Sequence, residues 1–187
     1  MPNWIIVGSW LPRFVLVTAW LLLGTASILQ AAPPLPHPAP PFTHHEPFNW
    51  INSKPLSLAD LRGRVLLIDF WTFDCWNCYR SFPWLLSLEA QMKEQPFTVI
   101  GVHTPEFEHE RDKQRLLEKI EVFQLRHPVM IDNDFSFWNA MGTRYWPTYY
   151  LIDKKGLVRN VFIGETRSDS AQAARITEAV EALLAEH

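Results

Sequence analysis

DFWTFDCWNCYRSFPWL, Asp69 to Leu85, is the stretch on which the reading of this chain turns. It holds both cysteines of the 187-residue sequence, Cys75 and Cys78, with an acid six positions before the first and a proline five positions after the second. A C-x-x-C pair can be a redox dithiol, half of a metal site or a structural staple. Zinc wants about four ligands, and the histidines that would complete a set, His103, His109 and His127, show no ligand spacing. Covalent haem attachment asks for a histidine directly after the second cysteine, where this chain has Tyr79. A crosslink closing so short a loop adds little stability, because its entropic contribution grows with loop length. The redox reading remains.

Local physics supports it. VLLIDFW (Val65 to Trp71) is a continuous run of strand formers, suited to a strand buried on both faces. A helical pattern follows in YRSFPWLLSLEAQMKE, with Pro83 expected to kink it. If that helix starts at Cys75, unpaired backbone N–H groups and the helix dipole favour the thiolate, lowering the thiol pKa from its free value of about 8.5. Cys78 then lies one turn further in, more buried, and placed to attack a mixed disulfide formed on Cys75. Asp69 is an ionisable residue inside an apolar strand. Burial there raises its pKa and makes it a candidate general base for the Cys78 thiol. The alternative is a solvent-facing acid at a strand end.

Outward from this stretch, FTVIGVH (Phe97 to His103) reads as a second buried strand. EFEHERDKQRLLEKIEVFQL reads as one charged helix with apolar residues at Leu116, Ile120 and Phe123, or at Leu117 and Leu125. PVMID is a short strand, and FSFWNAMG a short helix ending at Gly142. TYYLIDKKGLVRNVFIG is a hairpin turning at Lys154-Lys155-Gly156, and SAQAARITEAVEALLAE a closing helix. Strands alternating with helices, then a hairpin, indicate an α/β fold with a mixed sheet.

The chain is 48% hydrophobic and 20% charged with a net charge of -3, which fits one globular domain and offers no basic face for nucleic acid. FVLVTAWLLLGTASILQAA (Phe14 to Ala32) carries no charge and follows Arg13. Residues 1–32 therefore read as a signal peptide or an N-terminal membrane anchor, and the protein as exported, periplasmic or otherwise extracytoplasmic. APPLPHPAPP (Ala32 to Pro41) has six prolines in ten residues. It suggests an extended polyproline spacer over residues 33–47, ahead of a domain at 48–187. His37, His44 and His45 lie in or beside the spacer with no acid or cysteine cluster next to them in sequence, so no metal site is expected.

VLLIDFWTFDCWNC resembles the active-site strand and turn of thioredoxins, and the chain as a whole is similar to their exported TlpA-like branch. DFWTFDCWNCYR, GVHTPEFEHE, MIDNDFSFWNAMGTRYWPTYYLID and GET are more similar still to the thioredoxin-like domain of DipZ-type proteins, over roughly Phe48 to the C-terminus. The resemblance implies a thioredoxin-like fold: a central mixed β-sheet flanked by helices, with an inserted helix after the second core strand. It implies Cys75 as nucleophile, Cys78 as resolving thiol, Asp69 as buried acid and Pro83 as the helix kink. Pro147, in YWPTYY, falls where the family has a cis-proline beside the dithiol. Trp76, Asn77, Tyr145 and Trp146 then become client-binding residues, the backbone of Trp146 being exposed for strand-like pairing. The implied cofactor is none beyond the redox-active disulfide. The implied partners are cysteine-containing polypeptides and a membrane or thiol electron partner for recycling.

This chain departs from thioredoxin in having Trp76-Asn77 between its cysteines, no lysine on FTVIGVH opposite Asp69, and Asp74 directly before Cys75, where its charge opposes the thiolate. A thiol-disulfide oxidoreductase, acting as a reductase, is the function expected. Two others compete. TFDC matches the T-x-x-C part of a peroxiredoxin motif, but Ile68 stands where that motif has proline. The aromatics Phe73, Trp76, Tyr79, Tyr145 and Trp146 would also suit a binding module without turnover.

Overall fold

The strand Val65–Trp71 is the centre of the sheet in the computed structural model, which describes Met1 and residues 34–186. Contacts divide the chain into two units, Met1–Ala31 and Ala32–His187, and every element below belongs to the second. The expected signal or anchor, residues 1–32, lies outside the described residues apart from Met1. Among the described residues no helix is long and apolar enough to cross a membrane.

Seven strands form one sheet: β1 (His37–Pro38), β2 (Trp50–Ile51), β3 (Val65–Trp71), β4 (Phe97–His103), β5 (Val129–Ile131), β6 (Thr148–Ile152) and β7 (Leu157–Ile163), in the order β1-β7-β6-β3-β4-β5-β2. β3, β4 and β5 run parallel, while β6, β7 and the two short edge strands pair antiparallel with their neighbours. The sheet is mixed, as expected. The α-helices among the described residues are α1 (Trp76–Gln91), α2 (Lys113–Phe123), α3 (Ser136–Met141) and α4 (Ala171–Ala185).

Alternation along β3 divides the core in two. Val65, Leu67 and Trp71 join a cluster with Cys78, Phe82 and Leu85 of α1 and Ile176 and Val180 of α4. Leu66, Ile68 and Phe70 face the opposite layer, which contains Phe137 and Trp138 of α3. Asp69 shares the face of Leu67 and Trp71, under α1. Pro83 lies inside α1.

The charged stretch after His103 is not one helix. Glu108–Arg111 is a 3-10 turn, and α2 starts only at Lys113 because the Asp112 carboxylate caps it, accepting from the N–H groups of Gln114 and Arg115. Such caps satisfy otherwise unpaired donors of the first turn. Leu116 and Ile120 are buried as expected, whereas Leu125 is buried beyond the helix end, after Gln124 in the left-handed region.

The proline-rich segment also differs from expectation. Its described part, residues 34–47, is not a free spacer. His37 and Pro38 pair with Val158 and Leu157 at the sheet edge, and the Ala39 N–H donates to the Gly156 carbonyl at 3.0 Å. Proline is tolerated there because an edge strand needs few of its donors. Phe42 is 1% exposed and packs on Trp50 and Phe137, with ring centroids 5.5 and 5.3 Å apart. The fold also brings two acids to His44, absent from its sequence neighbourhood: Nε2 lies 3.2 Å from Asp132 Oδ1 and from Asp134 Oδ1. The Asp132 carboxylate already accepts from the Phe137 and Trp138 N–H groups and the Thr104 hydroxyl, so it anchors the start of α3.

Candidate active site

β3 ends at Trp71, and the chain turns through Thr72, Phe73 and Asp74 into the N-cap of α1, which is Cys75. Cys75 and Cys78 form a disulfide. The Cys78 N–H donates to Cys75 Sγ at 3.1 Å, so the first sulphur takes the place of a capping oxygen. Cys75 is partly exposed, whereas Cys78 is 1% exposed within the core cluster.

Asp69 is not the solvent-facing acid of the alternative reading. It is 1% exposed, and burial, helped by the negative charge of Glu89, pushes its carboxyl up to about 8. No cation among the described residues offsets this. The residue across the parallel ladder is Gly101, and the Tyr149 phenol on the antiparallel side is itself held well above its ordinary value by burial and by Asp69.

The Trp146–Pro147 peptide bond is cis. Trp146 is half-buried, stacks on Trp138 with centroids 4.2 Å apart, and donates its indole N–H to the Thr104 carbonyl at 3.0 Å. Trp76 is 66% exposed and stacks on Tyr79, whose ring in turn meets Phe123. Tyr145 is exposed. Asn77 is exposed and its carbonyl accepts from the Ser81 hydroxyl. Cys75, Trp76, Asn77, Tyr145 and Trp146 line one cavity of about 430 Å³ with Asp74, Glu106 and Arg144. All the expected client-binding side chains therefore meet beside the exposed sulphur. A larger hollow of about 690 Å³ lies between α1 and α2, lined by Tyr79, Phe82 and Phe123 among others; it touches neither cysteine, and the smaller cavity is the one tied to the chemistry.

Several residues around the site have contacts that the sequence did not disclose. Glu110 is a buried acid whose Oε1 accepts from the Asp74 N–H at 3.0 Å and whose Oε2 accepts from the Glu106 and Phe107 N–H groups. It ties the segment after β4 to the turn that carries Cys75. His109 Nε2 lies 2.6 Å from Asp74 Oδ2, within hydrogen-bond reach of the carboxylate that stands beside Cys75. Thr72, the threonine of T-x-x-C, is buried with its hydroxyl 3.2 Å from His103 Nε2. His103 is kept neutral by burial, its pKa pushed down to about 3. Glu89 of α1 lies 2.9 Å from His127 Nδ1. Its one sequence signal is position, four residues after the buried Leu85 and so on the inner side of the helix.

The Redoxin family profile matches residues 37–177. Protein DipZ of Mycobacterium tuberculosis is 39% identical over 119 residues, 62% of this chain and 17% of that one. The chain thus spans about a sixth of the length of this curated relative. Thiol-disulfide oxidoreductase YkuV of Bacillus subtilis is 26% identical over 115 residues, covering 62% of this chain and 77% of that one. Among solved structures, a thiol:disulfide interchange protein of the thioredoxin family from Chlorobium tepidum TLS superposes with a TM-score of 0.64 over 82% of this chain and 99% of its own; at 23% identity it bears on the fold alone.

Proposed function

The chain belongs to the Redoxin family, and from that premise we propose that it is a thiol-disulfide oxidoreductase that reduces disulfides of cysteine-containing polypeptides outside the cytoplasm. The observation that carries the reading is the Cys75–Cys78 disulfide at the start of α1, with Cys75 partly exposed and Cys78 buried.

In the reduced protein the Cys75 thiolate attacks a client disulfide, forming a mixed disulfide and releasing one client sulphur. Cys78 loses its proton to Asp69 and attacks Cys75 Sγ. The Cys75–Cys78 bond forms, the mixed bond breaks, and the second client sulphur leaves with the electron pair. The client gains two electrons and the protein loses two. A thiol or membrane electron donor returns them.

The direction is supported by Asp74. A carboxylate next to Cys75 disfavours the thiolate, so it destabilises the reduced form relative to the disulfide and makes the pair more reducing. Polypeptide clients are supported by the aromatic cavity beside Cys75. Export is supported by the uncharged run after Arg13, as a cleaved signal or an anchor. The peroxidase reading loses ground because the Thr72 hydroxyl is engaged with His103.

The test is the equilibrium potential of the pair against glutathione, with exchange of a peptide disulfide and of hydrogen peroxide followed in parallel. A potential below the glutathione pool, with rapid peptide exchange and negligible peroxide consumption, is expected. A potential at the oxidising end would overturn the direction, and absent peptide exchange would overturn the activity. Fractionation of cells making the full chain checks its location.

A further inference from the structure

We propose that Asp132 is a positioning residue for client docking: through Thr104 and Trp138, its buried carboxylate fixes the edge and the face of the Trp146 indole beside Cys75. The inference rests on the exchange chemistry proposed above and names a residue on which its client-binding loop depends.

Asp132 directly follows β5 and is fully buried. A carboxylate at that depth is costly unless its oxygens are satisfied. Oδ1 accepts from the Phe137 N–H and Oδ2 from the Trp138 N–H, both at 2.9 Å. His44 Nε2 and the Ser136 hydroxyl approach Oδ1 at 3.2 and 3.3 Å. Oδ2 also accepts from the Thr104 hydroxyl at 3.1 Å. The two backbone donors are enough to anchor the start of α3. The contact with Thr104, which is 28 residues away in sequence, does something else.

Thr104 directly follows β4 and is itself fully buried, with all three of its polar groups engaged. Its N–H donates to the Trp71 carbonyl at the end of β3 at 3.1 Å, and its hydroxyl donates to Asp132. Its carbonyl accepts from the Trp146 indole N–H at 3.0 Å. Held at its amide and at its side chain, the residue presents that carbonyl in one direction. An indole N–H can only donate, so the carbonyl fixes where the edge of the Trp146 ring lies.

The second route ends on the face of the same ring. Trp138, whose N–H is held by the same Oδ2, stacks on Trp146 with centroids 4.2 Å apart and planes 30° apart. One carboxylate oxygen therefore holds both the residue that meets the edge of the indole and the residue that meets its face. Trp146 lines the cavity that contains Cys75, and its backbone enters the bond to Pro147. If the ring is released, the backbone offered to an extended client loses its fixed direction. Cys75 is held separately, at the start of α1. Loss of the Asp132–Thr104 bond should therefore weaken docking of a polypeptide and spare attack on a small disulfide, which needs only the exposed sulphur.

The experiment compares the reduced full chain reacting in single turnover with a peptide disulfide and with hydroxyethyl disulfide. Thr104→Val keeps the shape of the side chain and removes its hydroxyl. It is expected to slow reaction with the peptide about fivefold, the order of one hydrogen bond, and reaction with hydroxyethyl disulfide by less than about twofold. Thr104→Ser, which restores the hydroxyl, should recover the peptide rate. Hydrogen exchange of the Trp146 indole N–H should be at least about fivefold faster in Thr104→Val than in wild type. Equal losses toward both disulfides, no loss toward either, or a Thr104→Ser variant as slow as Thr104→Val would overturn the assignment. If Thr104→Val does not fold, the wild-type protein decides by NMR: slow exchange of both the Thr104 hydroxyl proton and the Trp146 indole N–H is expected, and free exchange of either overturns it. Failure of the wild type to exchange disulfides would fall on the activity instead, and the indole exchange rates would still judge the positioning.

Discussion

The backbone N–H of Cys78 points at Cys75 Sγ from 3.1 Å, so the helix start that holds the first sulphur is also the turn that presents the second cysteine to it. Negative charge on Cys75 is favoured by this donor and by the dipole of α1, while Cys78 sits in the core without such help. In the reduced protein Cys75 should alkylate at least about tenfold faster than Cys78. Cys75→Ser should abolish exchange. Cys78→Ser should accumulate mixed disulfides with a peptide client, visible by mass. Equal labelling rates would remove the assignment of roles.

Asp74 and His109 tune that first sulphur from outside. Their 2.6 Å contact is solvent-exposed on both sides, so it adds little stability, at most about 1 kcal/mol. Its effect should appear in the chemistry. Asp74→Asn removes the anion beside Cys75 and leaves the backbone N–H that Glu110 holds. The Cys75 thiol pKa should fall by about half a unit to one unit, and the potential should become less negative by about 10–30 mV. Alkylation rate against pH and a glutathione titration measure the two. A thiol pKa that rises would contradict the reading of Asp74 as an opposing charge.

Glu110 offers a test of whether the insertion after β4 supports the dithiol turn. Its buried carboxylate accepts from three backbone N–H groups, those of Asp74, Glu106 and Phe107. Glu110→Ala strands these donors, and an unpaired buried donor costs about 1–3 kcal/mol. Partial rescue by water leaves an expected loss of about 2–4 kcal/mol in urea unfolding, with slower exchange because the Asp74–Cys75 turn is released. Glu121→Ala, which breaks only the exposed pair with Arg126, should change stability by no more than about 0.5 kcal/mol. Similar small losses in both would show that Glu110 does not brace the site.

The central strand, the helix behind the cysteines and the burial of Asp69 were all legible, because each follows from a local pattern: an unbroken apolar run, a cysteine spacing, one acid among hydrophobes. What escaped depends on partners distant in sequence. Glu110 turns inward because Asp112 caps a new helix and leaves the preceding residues as a 3-10 turn, so an apparently continuous charged helix conceals a buried acid. Phe42 sits among prolines that rule out a central strand, and only the edge position beside β7 lets such a segment join the sheet. The meeting of His127 with Glu89 requires β5 to lie beside β4, a fact of topology that no spacing in the chain encodes.

Asp69 should leave a signature in the pH dependence of stability, read on the oxidised protein. Its carboxyl keeps a proton up to about 8 when folded but releases it near the model-compound value of 3.8 when unfolded. Between those limits the folded state binds more protons, so stability falls as pH rises. His103 works in the opposite sense. It stays neutral when folded down to about 3 and protonates near 6.5 when unfolded, so its contribution raises stability as pH rises from about 3 to 6.5. The two slopes oppose each other up to pH 6.5, and from there to about pH 8 the Asp69 slope acts without that opposition. With about 1.4 kcal/mol per pH unit for one proton, wild type should lose about 2 kcal/mol across that interval. Asp69→Asn cannot ionise, so its unfolding free energy should be flat there and higher than wild type, while slow disulfide resolution reveals what was given up in exchange. Urea unfolding of both proteins at several pH values from 6.5 to 8 decides the matter. Parallel curves would mean that burial does not raise the Asp69 carboxyl, which would leave a carboxylate too weakly basic to take the Cys78 proton.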